Sequence, residues 1–336
     1  MRCVVFRGVG GREVVAIEER PDPEPAKFEV LIAPTFAGVN PADALQREGH
    51  HPVPAGSPSD VPGLEVAGSV LTCGQAVTRF APGDRAFGLV GGGGLADRVV
   101  AHERELAPIP ETLGDREAAA VPEAFITAHD ALFAQAGLGP GDTLLVNGAS
   151  GGVGTAAVQI AAGLGARVVA SVRSEALRPR VAELGATALA AHDAFALVRE
   201  LGGADIILEL VGAAHMHDNL GALAPKGRIV IVGARPGDEA TIEMRDLMGR
   251  RARVIGTTLR LRPLEEKGLI VQEFARRVVP LLATGRMRPL VDRVFPLASA
   301  GDALDYVRTP GKLGKVLLAT VEPGRAPSNP VRGRPA

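Results

Sequence analysis

A run of small residues, VNGASGGVGTAAVQI at positions 146–160, separates a short apolar stretch from the predicted start of a helix. Glycines at such a turn let the backbone approach a pyrophosphate closely, and the first N–H groups of the helix donate to its oxygens. Gly151 and Gly154 occupy the last two positions of the G-x-G-x-x-G pattern, whereas Ala149 stands at the first. We therefore predict a dinucleotide site, with a purely structural turn as the alternative. The predicted phosphate contacts are Ser150, Gly151, Gly152, Val153 and Gly154.

The residues after the next predicted strand, ARVVAS, indicate which dinucleotide binds. An NAD site usually places an acid there for the ribose hydroxyls, whereas an NADP site offers neutral or basic groups to the 2′-phosphate. No acid occurs before Glu175, and Arg178 and Arg180 follow it. Because arginine pairs with phosphate through two hydrogen bonds, the sequence favours NADPH, although such arginines also suit a solvated surface. The predicted contacts are Ser171, Arg173 and Ser174.

The sequence has two parts with different hydrophobic patterns, and the elements that they predict must position these residues. Residues 1–120 carry short alternating runs broken by Pro and Gly, such as EVLIAP and EVAGSV, which are typical of a small antiparallel β fold. From about 121 to 258, apolar strands alternate with helical stretches, as a parallel sheet covered on both faces requires. The spacing also predicts a helix over 270–283 and a strand at KVLLA, 315–319. The predicted fold class is α/β, with a mostly-β part and a doubly wound parallel sheet.

Composition excludes several classes of protein. The 37 Lys and Arg residues balance 38 Asp and Glu residues, so neither a nucleic acid nor a membrane surface is expected as the main partner. No apolar run approaches the roughly 18 residues that span a bilayer, and the N-terminus lacks the apolar stretch of a secretion signal, so we expect a cytoplasmic protein. With Cys3 and Cys73 alone, neither a disulfide framework nor a three-thiolate metal site is expected.

Longer segments resemble a known family. The segments AGVNPADALQREG, VPGLEVAG, APGDRAFGL and NGASGGVGTAAVQI are similar to those of the zinc-independent quinone oxidoreductases, within the medium-chain dehydrogenase/reductase superfamily. The resemblance extends to about residue 320 and implies an active cleft between a catalytic domain and a cofactor domain. The implied boundaries are 1–120 for a GroES-like catalytic domain, 121–262 for a Rossmann NADP-binding domain, 263–320 for a C-terminal return to the catalytic domain, and 321–336 for a disordered tail.

The resemblance also implies residues of the cleft. Asn40 and Asp43 match positions that hold the nicotinamide side or the substrate at the cleft floor, and Thr127 matches a nicotinamide-contacting threonine. Ordinary turn chemistry explains Asn40 and Asp43 equally well, and a helical threonine also bonds its own backbone. Glu65 matches a cleft glutamate that we interpret as structural. The remaining predicted cofactor contacts are His192, Gly233, Ala234, Thr258, Leu259 and Lys315.

Two substitutions argue against a zinc enzyme. Asn40 and Leu64 stand where zinc-dependent members of the superfamily carry a cysteine and a histidine ligand, and neither an amide nor an alkyl group replaces those ligands. The four-cysteine structural lobe is also missing from the sequence. The neighbours His50 and His51 are not expected to share a metal ion, because adjacent side chains usually point apart. We therefore predict no metal site.

Without a Lewis acid, the simplest chemistry is hydride transfer from NADPH to an acceptor that has its own electron sink. Quinones and α,β-unsaturated carbonyls qualify, because the incoming charge spreads onto a conjugated oxygen. The predicted catalytic residues are Asn40, Asp43 and His51. No proton donor is evident. His51 as a general acid is a hypothesis that rests on an unperturbed pKa of about 6.5, and a spacer at the cleft lip is the alternative.

Three functions follow from this interpretation. The favoured one is NADPH-dependent reduction of a small-molecule quinone. An enoyl or alkenal double-bond reductase shares the fold and the hydride donor, so only the cleft lining distinguishes it. A non-catalytic NADPH-binding protein is the third, because a fold never excludes loss of activity.

The segment ARVIGTT, 252–258, is predicted as the last strand of the parallel sheet, with an unpaired edge. Such edges are commonly covered by a second copy of the chain, so we expect a homodimer. The alternative is a monomer whose edge is shielded by Arg250, Arg251 and Arg253, because charged residues also protect sheet edges.

Overall fold

The structure is a computed structural model that describes residues 1–234 and 237–321. The predicted disordered tail, 321–336, lies outside the described residues except for Val321. Within the described ranges, no helix is both long enough and apolar enough to cross a membrane.

Short strands build the N-terminal part of the fold. They are β1 (Arg2–Phe6), β2 (Val15–Glu19), β3 (Glu29–Ala33), β4 (Phe36–Val39), β5 (Glu65–Cys73), β6 (Arg85–Leu89), β7 (Val99–His102) and β8 (Leu106–Pro108). β1 and β2 form an antiparallel pair, and the main antiparallel sheet has the order β7-β3-β5-β6-β8. In β7, buried and half-buried residues alternate, as the sequence pattern predicts for a sheet with one face in the core.

The predicted parallel sheet follows. Its strands are β9 (Thr143–Asn147), β10 (Arg167–Ser171), β11 (Thr187–Leu189), β12 (Ala204–Glu209), β13 (Leu223–Ile231) and β14 (Arg253–Gly256). They pair in the order β11-β10-β9-β12-β13-β14, which is the 3-2-1-4-5-6 order of a dinucleotide-binding sheet. Every residue of β9 is buried, because helices cover both faces of this central strand. The predicted α/β class, a GroES-like part with a Rossmann sheet, is confirmed.

The C-terminal part returns to the N-terminal sheets. β15 (Val291–Pro296) runs parallel to β16 (Lys315–Ala319), and β16 runs antiparallel to β4. The strand predicted at 315–319 is therefore confirmed. At the other end of the fold, β14 lies at the edge of the parallel sheet as predicted, although it stops at Gly256, two residues before the predicted end.

Helices cover the sheets and connect their strands. They are α1 (Pro41–Arg47), α2 (Asp115–Ala118), α3 (Thr127–His129), α4 (Gly152–Leu164), α5 (Arg178–Ala182), α6 (Ala191–Glu200), α7 (Met216–Ala222), α8 (Met244–Arg250), α9 (Leu264–Arg277), α10 (Val279–Ala283) and α11 (Ala300–Tyr306). The helix predicted over 270–283 is thus two helices, α9 and α10. Pro280 stands in the first turn of α10, where its missing N–H interrupts a continuous ladder of hydrogen bonds.

The winding around α3 is unusual. π-helical turns over Pro122–Ile126 and Asp130–Gln135 flank α3 on both sides. Such turns occur often at functional sites, because the wider turn shifts side chains out of regular helical register. This segment carries Thr127, which the sequence predicts to contact the nicotinamide.

Candidate active site

The glycine loop has the geometry that its sequence predicts. Gly148 adopts a φ of +77°, which turns the chain sharply at the end of β9. A Cβ on Gly154 would lie 2.6 Å from the Cα of Ala149, so only glycine allows α4 to pack this closely on the loop. Gly151 caps the N-terminus of α4, which has no acid in its first turn. The free N–H groups and the helix dipole therefore form a site suited to a pyrophosphate.

The residue before β16, the last strand in the described part of the chain, is bonded to this loop. The N–H of Gly314 donates to the carbonyl oxygen of Ser150 at 2.9 Å, and Gly314 forms a parallel bridge with Gly151. The next residue, Lys315, lies so close that a Cβ on Gly152 would be 2.8 Å from the Lys315 Cδ. The glycine loop thus contacts β16, the strand that pairs with β4.

Lys315 is the centre of a buried polar cluster at the floor of the cleft. Its ammonium donates to Asn40 Oδ1 at 2.5 Å, to Glu65 Oε1 at 2.6 Å and to the Val39 carbonyl oxygen at 3.5 Å. These bonds use all three N–H groups, so none is left for a cofactor phosphate. Only the aliphatic stem of Lys315 borders the glycine loop. The cofactor contact of Lys315 stays a prediction, and the structure supports it only for the aliphatic stem, because the charge faces Glu65.

Asn40 and Asp43 are brought together as predicted, but in a way that supports the turn. Asp43 Oδ2 accepts the Asn40 N–H at 2.8 Å, and Asp43 Oδ1 accepts the Gly63 N–H at 3.0 Å. The Asp43 side chain is fully buried, and burial raises its pKa to about 6. Both of its oxygens are occupied by backbone donors, so in this conformation Asp43 holds Asn40 in place rather than facing a substrate. The Asn40 side chain donates to Glu65 Oε1 at 2.8 Å.

Glu65 is structural, as we expected, and it leads to a residue that the sequence analysis missed. Its second oxygen, Oε2, accepts the backbone N–H of Glu123 at 2.9 Å. Among the described residues, none donates a hydrogen bond to the carboxyl group of Glu123 itself. Burial, with the charge of Glu65 as the next cause, raises the pKa of Glu123 to about 8. The available signal was an acid inside the apolar run VPEAFITA.

The buried hydroxyl of Thr127 is suited to bind a polar group of a ligand. It is 7% exposed, and its hydroxyl has no hydrogen-bond partner among the described residues. The alternative prediction, a hydroxyl bonded to its own helix, is therefore not found. A buried hydroxyl without a partner is costly, so the site fits a ligand that supplies a polar group here, such as the carboxamide of a nicotinamide.

Arg260 joins the two halves of the cleft, and the sequence analysis missed it as well. It donates to the Gly91 carbonyl oxygen at 3.0 Å and to Gln46 Oε1 at 2.7 Å, and its third contact is His51 Nδ1 at 3.3 Å. Burial and the charge of Arg260 lower the pKa of His51. A lowered pKa favours the neutral imidazole, so His51 is less suited to act as a general acid near neutral pH, and its catalytic role stays a prediction.

A buried ion pair holds the loop that carries Arg260. Arg262 donates to both oxygens of Asp130, at 3.0 and 2.7 Å, and to the Thr257 hydroxyl at 2.6 Å. The same loop carries two predicted cofactor contacts, which differ in exposure. Thr258 is exposed, whereas Leu259 is buried. The clamp fixes the loop against the π-helical segment, so Arg260 is presented to the cleft in a defined position.

The predicted 2′-phosphate site lies at the end of β10. Ser171 is buried, Ser174 is partly exposed and Arg173 is exposed. Burial lowers the pKa of Lys312, and the positive charge of Arg173 lowers it further. Arg173 and Lys312 therefore interact electrostatically although they come from distant parts of the sequence, and the negative charge of Asp292 acts on the same ammonium and raises its pKa. Arg178 is committed elsewhere, because its Nε donates to the Val172 carbonyl oxygen at 3.3 Å.

The other predicted contacts lie at the carboxyl edge of the same sheet. His192 is exposed in the first turn of α6, and Gly233 and Ala234 follow the end of β13. Below them, Glu209 accepts hydrogen bonds from Asn147 and Asn219, each at 2.8 Å. This buried network was not predicted, and it fixes the loops on which a dinucleotide rests.

The residues present do not fit a catalytic zinc ion. Leu64 is 2% exposed and offers no ligand atom, and the Asn40 amide is already bonded to Glu65 and Lys315. In the part of the chain that the structure describes, no group of three or more His, Cys, Asp or Glu side chains is placed to hold a metal ion. His50 is exposed and lies outside the polar cluster.

Comparisons with known proteins agree with both halves of the fold. Residues 26–111 match the alcohol dehydrogenase GroES-like domain, and residues 152–276 match the zinc-binding dehydrogenase family model. The quinone oxidoreductase of Rattus norvegicus is 32% identical over 95% of this chain and 97% of its own length.

Solved structures give the same result. The quinone oxidoreductase of Thermus thermophilus, described with its NADPH complex, is 35% identical, with a TM-score of 0.82 over 95% of this chain and 100% of that one. An NAD-dependent alcohol dehydrogenase is 31% identical, with a TM-score of 0.80 over 95% and 99% of the two chains. Since relatives this similar extend over nearly the whole sequence, the chain belongs to the quinone oxidoreductase family and is an oxidoreductase of the medium-chain dehydrogenase/reductase superfamily with a nicotinamide-dinucleotide-binding fold.

Proposed function

We propose that this protein is a zinc-independent reductase that uses NADPH to reduce a quinone. The observation that carries the proposal is the composition of the cleft floor. The Asn40 amide is committed to Glu65 and Lys315, so no group at this position polarises a carbonyl as a metal ion does. The acceptor must therefore bring its own electron sink, and a conjugated dicarbonyl provides one.

The preference for NADPH rests on the end of β10. Ser171 and Arg173 stand where an NAD site carries an acid, and Lys312 adds a second positive charge from the C-terminal part. A 2′-phosphate between these cations gains charge-assisted hydrogen bonds that NADH lacks. Relatives differ in their cofactors, since the Thermus thermophilus protein is described with NADPH and the alcohol dehydrogenase as NAD-dependent.

The residues of the cleft bind, orient and enclose the reactants. NADPH, when bound, supplies a hydride from its nicotinamide ring. The glycine loop and the N-terminus of α4 bind its pyrophosphate, and the Thr127 hydroxyl bonds and orients the nicotinamide. Leu259 is buried, so it excludes water from the loop beside the cleft. The charge of Arg260 stabilises the negative charge that the acceptor gains.

We propose that two chains pair through β14. The edge strand leaves backbone N–H and C=O groups unpaired, and the neighbouring helix α8 exposes Met244 and Met248 by 65% and 72%. Arg250 does not shield the edge, because its guanidinium donates to the carbonyl oxygens of Leu223 and Gly221. This weakens the monomeric alternative.

Three further expectations remain part of the proposal. A cytoplasmic location agrees with Cys3 and Cys73, which form no disulfide. The balanced charge supports a small-molecule substrate rather than a nucleic acid or a membrane surface. The proposed domain boundaries at 120 and 262 lie between strands of different sheets, which supports them, and the boundary at 320 follows β16.

A panel of acceptors tests the function. Purified protein is incubated with NADPH or NADH and with quinones, enones or allylic alcohols, and the oxidation or reduction of the dinucleotide is followed by absorbance. We expect turnover of quinones with NADPH, before and after treatment with a zinc chelator. Turnover of enones alone would identify a double-bond reductase, and tight NADPH binding without any turnover would identify a binding protein.

A further inference from the structure

Glu123 differs from the other acids at the cleft floor. Glu65 accepts hydrogen bonds from Lys315 and Asn40 and from the Glu123 backbone, and both oxygens of Asp43 accept backbone N–H groups. In the described part of the chain, no donor reaches the Glu123 carboxyl. Hydrogen bonds that stabilise a carboxylate are thus present at Glu65 and Asp43, and in the described residues Glu123 has none.

The charges that face Glu123 come from four elements. They are Glu65 on β5, Asp43 on α1, Lys315 on β16 and Arg260 in the loop after β14. Both cations direct their hydrogen bonds elsewhere, Lys315 to Glu65 and Asn40, and Arg260 to the groups around His51. Since Glu65 is already paired, a second negative charge beside it is unfavourable, and the raised pKa of Glu123 keeps a proton on it near neutral pH.

The backbone of Glu123 lies beside two of the predicted cofactor contacts, Thr127 and the glycine loop. Its N–H is fixed by Glu65, and its carbonyl accepts the N–H of Thr127 one turn later. The two side chains therefore lie on the same face of the π-helical segment. The next residue, Ala124, packs close to Gly152, since a Cβ there would be 3.5 Å from the Ala124 Cβ. Glu123 itself stays partly exposed, so its carboxyl can exchange protons with solvent.

We propose that Glu123 is the proton donor of the reaction, delivering a proton to the oxygen of the acceptor as hydride transfer reduces it. This inference rests on the proposed function. Hydride transfer reduces the quinone by two electrons, oxidises NADPH and leaves an oxyanion on the acceptor. The O–H bond of Glu123 breaks, and the proton forms an O–H bond on that oxygen, which gives the hydroquinone. The Glu123 carboxylate then takes a proton from solvent.

Two substitutions test the role of the proton. Glu123→Gln keeps the shape but removes the acidic proton, whereas Glu123→Asp keeps an acid on a shorter stem. The matched control is Glu111→Gln, at an exposed position for which the described chain shows no hydrogen bond or ion pair. We measure kcat and KM for one quinone across the pH range, the Kd for NADPH by fluorescence, and thermal unfolding.

We expect Glu123→Gln to lose kcat by about a hundredfold, with the NADPH Kd unchanged. The native kcat should fall as the pH rises through about 8, and this limb should be absent from Glu123→Gln. Glu123→Asp should recover part of kcat, and the Glu111 control should behave as the native protein. A Glu123→Gln variant with native kcat and the native pH profile would overturn the inference.

A second measurement does not depend on turnover. The infrared difference between the native protein and Glu123→Gln should contain the carbonyl stretch of a protonated carboxyl, which fades as the pH rises through about 8. Quinone turnover without this band refutes the proton donor and leaves the proposed function intact. If the native protein reduces no acceptor, the proposed function fails, and the inference fails with it.

Discussion

The Lys315 ammonium lies 2.6 Å from Glu65 Oε1, and the two side chains are only 6% and 1% exposed. This ion pair joins the last strand of the chain to the central part of the N-terminal sheet. Because water reaches neither charge, each depends on the other for compensation. The pair therefore matters to the fold as well as to the cleft.

Lys315→Met should destabilise the protein by about 3–5 kcal/mol, because it leaves Glu65 buried without its cation. The double variant Lys315→Met with Glu65→Gln should recover part of this loss, since the uncompensated charge is then gone. Urea unfolding of both single variants and the double variant measures the coupling. Additive losses would contradict a direct pair.

Thr127→Val should raise the stability of the free protein and weaken its binding of NADPH. Replacing an unpartnered buried hydroxyl by a methyl group should stabilise the free protein by up to about 1 kcal/mol, and loss of the nicotinamide contact should weaken NADPH binding by about tenfold. Thermal unfolding and fluorescence titration measure the two effects. The matched control is Thr155→Val, because the Thr155 hydroxyl already donates to the Gly152 carbonyl oxygen and should not stabilise the free protein when removed.

NADPH should bind at least about tenfold more tightly than NADH, and Arg173→Ala should remove most of that difference, because it takes away one of two cations at the 2′-phosphate. Dissociation constants of both nucleotides, measured by fluorescence or calorimetry, give the ratio. Arg167→Ala at the opposite end of β10 is the control, since Arg167 is also exposed but lies far along the strand. Equal constants in the native protein would contradict the prediction.

The stability of the protein should fall as the pH rises from about 5 to about 8. The pKa of Glu123 is raised from 4.5 to about 8, so between these values the folded state holds a proton that the unfolded chain has released. Ionising Glu123 then costs stability, on the order of 5 kcal/mol. Because Asp43, with its raised pKa, and His51, with its lowered pKa, also titrate in or near this window, the difference between native protein and Glu123→Gln is the measured quantity. Identical urea midpoints of the two proteins, shifting together across the window, would contradict the raised pKa.

Light scattering should give a mass near twice the 34.7 kDa of the chain. Met248→Glu on α8 should produce monomers, because it places a charge beside the paired edge. Leu269→Glu on α9 is the matched control, since Leu269 is 63% exposed away from this edge. A native protein that elutes as a monomer would show that the edge is protected without a partner.

The fold was predictable because its signals are local. A central strand such as TLLVN is apolar throughout, since it is buried on both faces, and the glycine loop follows it directly in the sequence. A turn at Asn40 and Asp43 was also recognisable, because Asn-Pro followed by Asp is ordinary turn chemistry, and in the structure this turn begins α1. These patterns need no knowledge of distant contacts.

The charges of the cleft were not predictable in this way. Arg260 contacts Gln46 across 214 positions, and Lys315 contacts Glu65 across 250. Lys315 was predicted only as a cofactor contact, and the sequence does not indicate that its ammonium donates to a buried carboxylate from another sheet. The raised pKa of Glu123 likewise depends on Glu65, which arrives from a separate strand.

The bond between Gly314 and Ser150 also sets the order in which the molecule can be completed during synthesis. β4 gains its partner strand only when β16 has left the ribosome, and the glycine loop gains its last backbone bond at the same moment. A chain interrupted before residue 314 therefore lacks both contacts, however well its parallel sheet has formed.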